Sequence, residues 1–245
     1  MILCVYEGKR ENKWFLPITH QFLKGEVVEY FIVEGTFHRL YKRLLDNGWD
    51  TLEALRDIES RRDEKRLLEY KESDFSEVFL FFDYDPHSYA SLNQLDSELR
   101  EMLAFFDNET EHGKMYVNYP MIESLRYTKE LPDINYYLYT VPFVKCCDFK
   151  QISAVFSAYP NNDFVDARGN YNAEDAIRNW NLLKLQNVAK ANYICHGSNN
   201  LPENKNDVSQ QMIHNAQVKK YGCSDKPCVA ILAAYPMFLY EYLKD

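Results

Sequence analysis

Residues 78–87 read VFLFFDYDPH: five apolar residues run straight into Asp83 and Asp85, and Pro86 and His87 close the stretch. In an extended chain the side chains of Asp83 and Asp85 point to one side and Tyr84 to the other. A third carboxylate, Glu7, ends the apolar run ILCVY at 2–6 and is followed by Gly8. Three carboxylates converging on a small volume leave at least one with a strongly raised pKa unless a cation neutralises them. Hard oxygen ligands that leave positions for water and phosphate suit Mg²⁺ or Mn²⁺. Lys9 and Arg10 follow Glu7 on the same loop and could take up charge on a phosphate oxygen in a transition state. His87 could orient a water or join the metal. Each residue also has a plainer reading. An aspartate here can cap the next helix, Lys9 and Arg10 can be a solvated helix start, and His87 an ordinary loop residue. Capping uses one aspartate, however, and leaves the second unexplained.

The elements that must position these side chains alternate in type. ILCVY at 2–6, VVEYFIV at 27–33, VFLFF at 78–82 and MYVN at 115–118 read as short buried strands. Lys9 to Phe22 is expected as a helix, kinked or restarted at Pro17. Phe37, Leu40, Tyr41, Leu44 and Leu45 fall at helical spacing before Asn47-Gly48. Asp50 to Glu72 reads as a long charged helix with a thin stripe of Leu52, Leu55, Ile58, Leu67 and Leu68, and Leu92 to Phe106 as an amphipathic one. The order β-α-β-α-β-α-β, with crossovers long enough for parallel strands, predicts a four-stranded parallel α/β unit over residues 1–120. Function in such sheets gathers at the carboxyl ends of the strands, so Glu7 and Asp83 are expected on one rim. Glu34-Gly35 also ends an apolar run and is a secondary candidate. Topology favours Glu7, because two complete helix–strand units separate it from Asp83, whereas no strand lies between Glu34 and Asp83.

Residues 121–245 lack that rhythm and are expected to form a mainly helical region packed on the first. Residues 131–145 are aromatic-rich and hold either a strand or irregular packing. Asn172 is placed as the N-cap of a helix running to Asn192, with Ile177, Trp180, Leu183 and Val188 inward, and helices are expected near 208–220 and 228–243.

The chain of 245 residues is 46% hydrophobic with 19 Tyr and 15 Phe, enough for an ample core. Its net charge of −9 argues against a broad electropositive groove for duplex DNA. The densest basic run, Arg61, Arg62, Lys65 and Arg66, is mixed with Glu59, Asp63 and Glu64 and reads as the solvated face of the charged helix. The start MILCVYEGKR has no signal-peptide pattern, and the longest apolar stretch, VAILAAYPMFLY at 229–240, is too short to span a bilayer. Six scattered cysteines read as reduced thiols of a cytoplasmic protein. Cys195-His196 and Cys223-x₄-Cys228 lack zinc-knuckle spacing and are expected as buried structural thiols, with Cys228 opening an apolar helix. There is no GxxxxGK[ST], HExxH or GxSxG, which argues against P-loop NTP hydrolysis.

A strand ending in Glu-Gly, two α/β units, then a strand ending in Asp-x-Asp resembles the Toprim (Rossmann-like) domain of topoisomerases, primases and OLD-type nucleases, over roughly residues 1–120. The resemblance implies that Glu7 acts as general acid or base while Asp83 and Asp85 hold Mg²⁺. The opening YEGKRENKWF is also similar to the EG-x-x-x-E start of the RloB-like and AbiLii-like proteins of phage-defence and abortive-infection systems. By the same resemblance NYPMIES at 118–124 nominates Glu123, and Glu11 by position; here Tyr119 separates Asn118 from Pro120, a departure from the family's Asn-Pro turn. The implied activity is a metal-dependent nuclease on DNA or RNA, with tRNA as one fitting substrate, working as a toxic effector beside an ABC-type, OLD-like ATPase partner. The alternative is a non-catalytic interaction or sensor module within a defence complex. A primase or topoisomerase fragment is disfavoured, since the chain has neither a zinc ribbon nor a tyrosine in a recognisable nicking context.

Overall fold

The structure, a computed structural model, describes residues 1–62, 65–88, 91–161, 173–223 and 225–243. The chain forms two compact units, Met1–Phe82 with Ser91–Met115, and Asp83–Ala90 with Tyr116–Asp245.

In the first unit β1 (Ile2–Tyr6) pairs in parallel with β2 (Val28–Ile32) and with β3 (Glu77–Asp83), Tyr6 standing level with Ile32 and Phe81. Every side chain of β1 is buried, the condition of a central parallel strand, and its run is accordingly apolar throughout instead of alternating. β4 (Asp107–Asn108) and β5 (Gly113–Asn118) complete a mainly parallel sheet ordered β2-β1-β3-β5-β4. The sheet thus has five strands, not the expected four. The sequence reads DNETEHGK, residues 107–114, as a turn, but Gly113 at φ 116 lets the chain double back, and Asp107 and Asn108 pair antiparallel with Lys114 and Gly113. A two-residue strand carries too little pattern to be read in a sequence.

Four helices connect these strands: α1 (Lys9–Phe22, with Pro17 inside it), α2 (Phe37–Asp46), α3 (Thr51–Ser60) and α4 (Leu92–Phe105). Phe15 of α1 meets Tyr6 and Phe81 at ring separations of 6.2 and 5.9 Å, and Tyr6 stacks on Phe81 at 5.5 Å. The charged helix expected from Asp50 to Glu72 ends at Ser60. Its start is as read, with the Asp50 side chain accepting the Glu53 N–H. It stops because the buried Glu59 carboxylate reaches forward to accept the N–H groups of Arg66 (2.9 Å) and Leu67 (2.8 Å), offering the backbone an alternative to helical bonds. Leu67 is therefore buried while Leu68, placed in the same stripe by the sequence, is 59% exposed.

The second unit contains β6 (Thr140–Pro142), α5 (Phe149–Phe156), α6 (Ala173–His196), α7 (Gln210–Ala216), β7 (Cys228–Ala230) and α8 (Ala234–Tyr242). α6 buries Trp180, Leu183 and Val188 as the spacing implies, leaves Ile177 half-buried, and runs four residues past Asn192; the proposed cap Asn172 lies outside the described residues. Cys228 opens a strand, not a helix: β7 pairs antiparallel with β6. The Gln217 amide donates to the Ala230 carbonyl (2.6 Å) and accepts the Ala230 N–H (3.0 Å), taking both backbone groups that a helix there would need. No described helix is long and apolar enough to cross a membrane.

Candidate functional site

The parallel ladder continues past the end of β1. The Val33 N–H donates to the Tyr6 carbonyl (2.8 Å), the Glu7 N–H to the Phe81 carbonyl (3.1 Å) and the Glu34 N–H to the Glu7 carbonyl (2.9 Å). These bonds fix a half-buried Glu7 at the carboxyl edge, between the ends of β2 and β3. In the order β2-β1-β3 the chain leaves β1 toward one side of the sheet and resumes on the other at β3. That reversal is a topological switch point, where open α/β sheets leave a crevice for ligands. β3 is parallel to β1 and ends at Asp83, so its carboxyl end belongs to the same edge.

The other candidates of this edge are engaged with neighbours. Glu34 has φ 55, a left-handed backbone, and its carboxylate lies 3.2 Å from Lys9 Nζ and 3.9 Å from Arg62. The Lys9 ammonium, with Arg62 behind it, holds the Glu34 carboxyl below the usual carboxylate range. Lys9 is otherwise exposed, and the Arg10 guanidinium lies over the Trp14 ring at 5.8 Å. Glu11 is buried and accepts the Gly8 N–H at 3.0 Å, so it closes the N-terminus of α1 in capping-box fashion.

In the second unit the segment after Phe82 is strapped to the segment after β5. The Tyr84 N–H donates to the Asn118 carbonyl and the Asp85 N–H to the Pro120 carbonyl, both at 2.9 Å. The Asn118 side chain, fully buried, donates from Nδ2 to Asp83 Oδ1 (2.9 Å) and accepts the Ala234 N–H at Oδ1 (2.8 Å). Asp83 is itself only 9% exposed. The strand alternation expected to carry Asp83 and Asp85 to one side does not reach Asp85. β3 stops at Asp83, and Asp85 has φ 42, a left-handed conformation that aspartate tolerates better than most residues. Tyr84 is buried against Tyr119, Phe143 and His214. His87 Nδ1 stands 2.7 Å from Asp85 Oδ1, so this histidine is a partner of the second aspartate. Glu123 is 2% exposed and lies on a 3₁₀ turn, Ile122–Arg126.

Among the described residues no group of three or more His, Cys, Asp or Glu side chains is arranged to hold a metal ion. Mg²⁺ often takes only one or two carboxylates and fills the rest of its octahedron with water and substrate phosphate. Asp83 and Asp85 are hard-oxygen donors of the type that mode uses, with Asn118 on Oδ1 of Asp83 and His87 beside Oδ1 of Asp85. The thiols do not compete for it: burial, and then the neighbouring Asp85 carboxylate, push Cys146 up to about 12. Cys223 is exposed, and Cys195 and Cys228 are half-buried, so the reading of all three as buried thiols is corrected.

No protein-family model, curated protein or solved structure matches the chain.

Asn118 is the residue that sequence reasoning undervalued. It appeared in NYPMIES only as part of a turn, yet its amide holds Asp83 and the first turn of α8 together. The available signal was a lone amide closing the apolar strand MYVN, since a buried amide needs partners for its donors and acceptor.

Proposed function

We propose that the protein is a Mg²⁺- or Mn²⁺-dependent nuclease of Toprim type that cleaves phosphodiester bonds in DNA or RNA. The observation that supports this reading is the parallel pairing of β1 with β3 at the switch point of the sheet, which leaves Glu7 at the carboxyl edge toward which β3 runs. In this reading Asp83 and Asp85 would hold the cation, and the chemistry it would supply is Lewis-acid polarisation of the scissile phosphate and a lowered pKa for a water. Glu7 takes the proton, and Lys9 or Arg10 turns from Glu34 or Trp14 to the developing charge. The net charge of −9 favours a small structured target such as a tRNA, or delivery by a partner. The resemblance to RloB-like and AbiLii-like proteins extends the proposal to a toxic effector of phage defence held inactive beside an ABC-type ATPase.

The test is thermal unfolding of the wild type and of Asp83→Ala/Asp85→Ala in EDTA, Mg²⁺ and Mn²⁺, followed by cleavage assays on structured RNA and DNA. Metal at a hundred times its Kd stabilises the native wild type by about 2.7 kcal/mol and leaves the double variant unmoved. Cleavage that persists in the double variant refutes the assignment. A non-catalytic interaction module is the second reading. It draws on the Asn118 amide that holds Asp83 and the His87 imidazole that holds Asp85, partners with which these carboxylates could serve loop structure alone. It expects neither a metal shift nor cleavage.

A further inference from the structure

The early end of α3 removes Arg62 and Arg66 from the helix face on which the sequence placed them and turns both toward the edge strand β2. The Arg62 guanidinium lies over the Phe31 ring at 4.9 Å, and the Arg66 guanidinium over the Tyr30 ring at 5.0 Å. Together with Lys9, Glu34 and Tyr70 they line an open cleft of ≈590 Å³ beside β2. The Glu59 bonds to the Arg66 and Leu67 N–H groups hold one wall in place. Three cations, Lys9, Arg62 and Arg66, line it with three carboxylates, Glu29, Glu34 and Glu59, so the cleft is balanced in charge although the chain as a whole carries −9. Glu34 is faced by Lys9, Arg62 and Arg39, and burial first, then the arginines Arg62, Arg43 and Arg61, lower the pKa of Arg39. Glu29 pairs with Arg66 at 2.8 Å, Glu34 lies 3.2 Å from Lys9 and 3.9 Å from Arg62, and Glu59 is taken up by the Arg66 and Leu67 N–H groups.

We propose that this cleft binds a single-stranded segment of nucleic acid, with phosphates on Lys9 and Arg62 and a base stacked against Tyr30, Tyr70 or the guanidinium planes. A simple anion site needs no aromatic wall, whereas single strands are bound by this combination of cations along the backbone and stacking planes for the bases. The volume falls within the range of small-molecule sites, about 300–1,000 Å³, and suits one or two nucleotides. Duplex is disfavoured because its bases are already stacked inside the helix. The cleft's lining reaches the carboxyl edge at Glu34, whose N–H donates to the Glu7 carbonyl. A strand lying in it is led toward Glu7, and the inference rests on the nuclease reading for that consequence alone.

Binding is measured without turnover, by fluorescence anisotropy in EDTA, with fluorescein-labelled 12-mers of oligo(dT) and oligo(U) and a duplex of the same length. The expected result is binding of single strands at least tenfold tighter than duplex. Arg62→Gln/Arg66→Gln, which removes both charges and keeps a polar amide at each position, weakens it tenfold or more and flattens the salt dependence by about 0.7 in log–log slope for each phosphate no longer neutralised. Tyr30→Leu weakens it about fivefold or more at an unchanged slope, as loss of stacking does. Arg178→Ala, at an exposed pair elsewhere, serves as the control for a charge lost away from the cleft and leaves binding unchanged. Equal affinity for duplex, full competition by inorganic polyphosphate, or wild-type binding by the arginine double variant overturns the proposal. Binding without metal-dependent cleavage keeps the cleft and sinks the nuclease reading; cleavage with unaltered binding in the arginine variant does the reverse.

Discussion

Asn118→Asp places a carboxylate where the Asn118 amide now donates to Asp83, at a separation of 2.9 Å. Two unit charges at that distance repel by about 6 kcal/mol at an effective dielectric near 20. The folded protein has a cheaper response, which is to keep one proton on the pair. Holding a proton at pH 7 on a carboxyl whose ordinary pKa is near 4 costs about 4 kcal/mol, and this sets the expected loss of stability. The Ala234 N–H keeps its acceptor, so the change is confined to the Asp83 side of the residue. The sign with pH follows from linkage. The pair's folded-state pKa is raised, the native state binds the extra proton between about pH 4 and 7, and stability relative to wild type is therefore lost as pH rises through that window and regained below it. Asn118→Ala loses one hydrogen bond to a charged group and leaves the Ala234 N–H without its acceptor, about 3 kcal/mol with little pH dependence across the same range. Urea unfolding of the three proteins at pH 4.5, 5.5 and 7.0 reads these differences, and millimolar Mn²⁺ added at pH 7.0 should restore Asn118→Asp more than wild type. Equal stability of Asn118→Asp and wild type at every pH refutes the Asn118–Asp83 bond. Destabilisation with the stated pH slope but no response to Mn²⁺ keeps the bond and counts against a metal at Asp83.

Lys190 is fully buried on α6, where its ammonium donates to the carbonyls of Tyr136 and Tyr139 and burial drives its pKa well below that of an exposed lysine. Both carbonyls also accept a backbone N–H, from Tyr139 and Ile231, so Lys190→Met orphans neither. Below pH 10.5 the unfolded wild type binds the proton more readily than the native state, so wild-type stability rises with pH while Lys190→Met lacks that rise; the advantage of the variant should shrink from pH 7 to pH 10, and a pH-independent difference would falsify the assignment. Gly113→Ala sets a Cβ 2.8 Å from Leu80 Cδ1 at a φ of 116, and is expected to cost about 2–4 kcal/mol in urea unfolding; a loss below about 1 kcal/mol would contradict the close approach of β5 to Leu80.

Short-range pattern in the chain was enough for β1, β3, α1, α2 and α4, because a strand buried on both faces must be apolar throughout and an amphipathic helix must repeat its apolar positions. β2 was legible from its run of β-formers, although it is an edge strand in which only Phe31 is buried. It was also enough to identify Glu7 and Asp83 as the residues that end β1 and β3, since each is the first charge after an uninterrupted apolar run. It failed where a side chain distant in sequence, or a few residues ahead, took over backbone groups. Glu59 ended α3 by capturing the N–H groups of Arg66 and Leu67, and Gln217 held Ala230 in a strand within a stretch whose apolar composition suits a helix equally well. The two arginines that face Phe31 and Tyr30 were misplaced by the first of these, because a charge run looks the same on a helix as on an irregular wall. Only the tertiary structure could give Asp83 its Asn118 partner, 35 residues away, and give Asp85 its left-handed turn. Residue type and spacing decide which groups can carry charge, but hydrogen-bond partners drawn from far along the chain decide where those charges point.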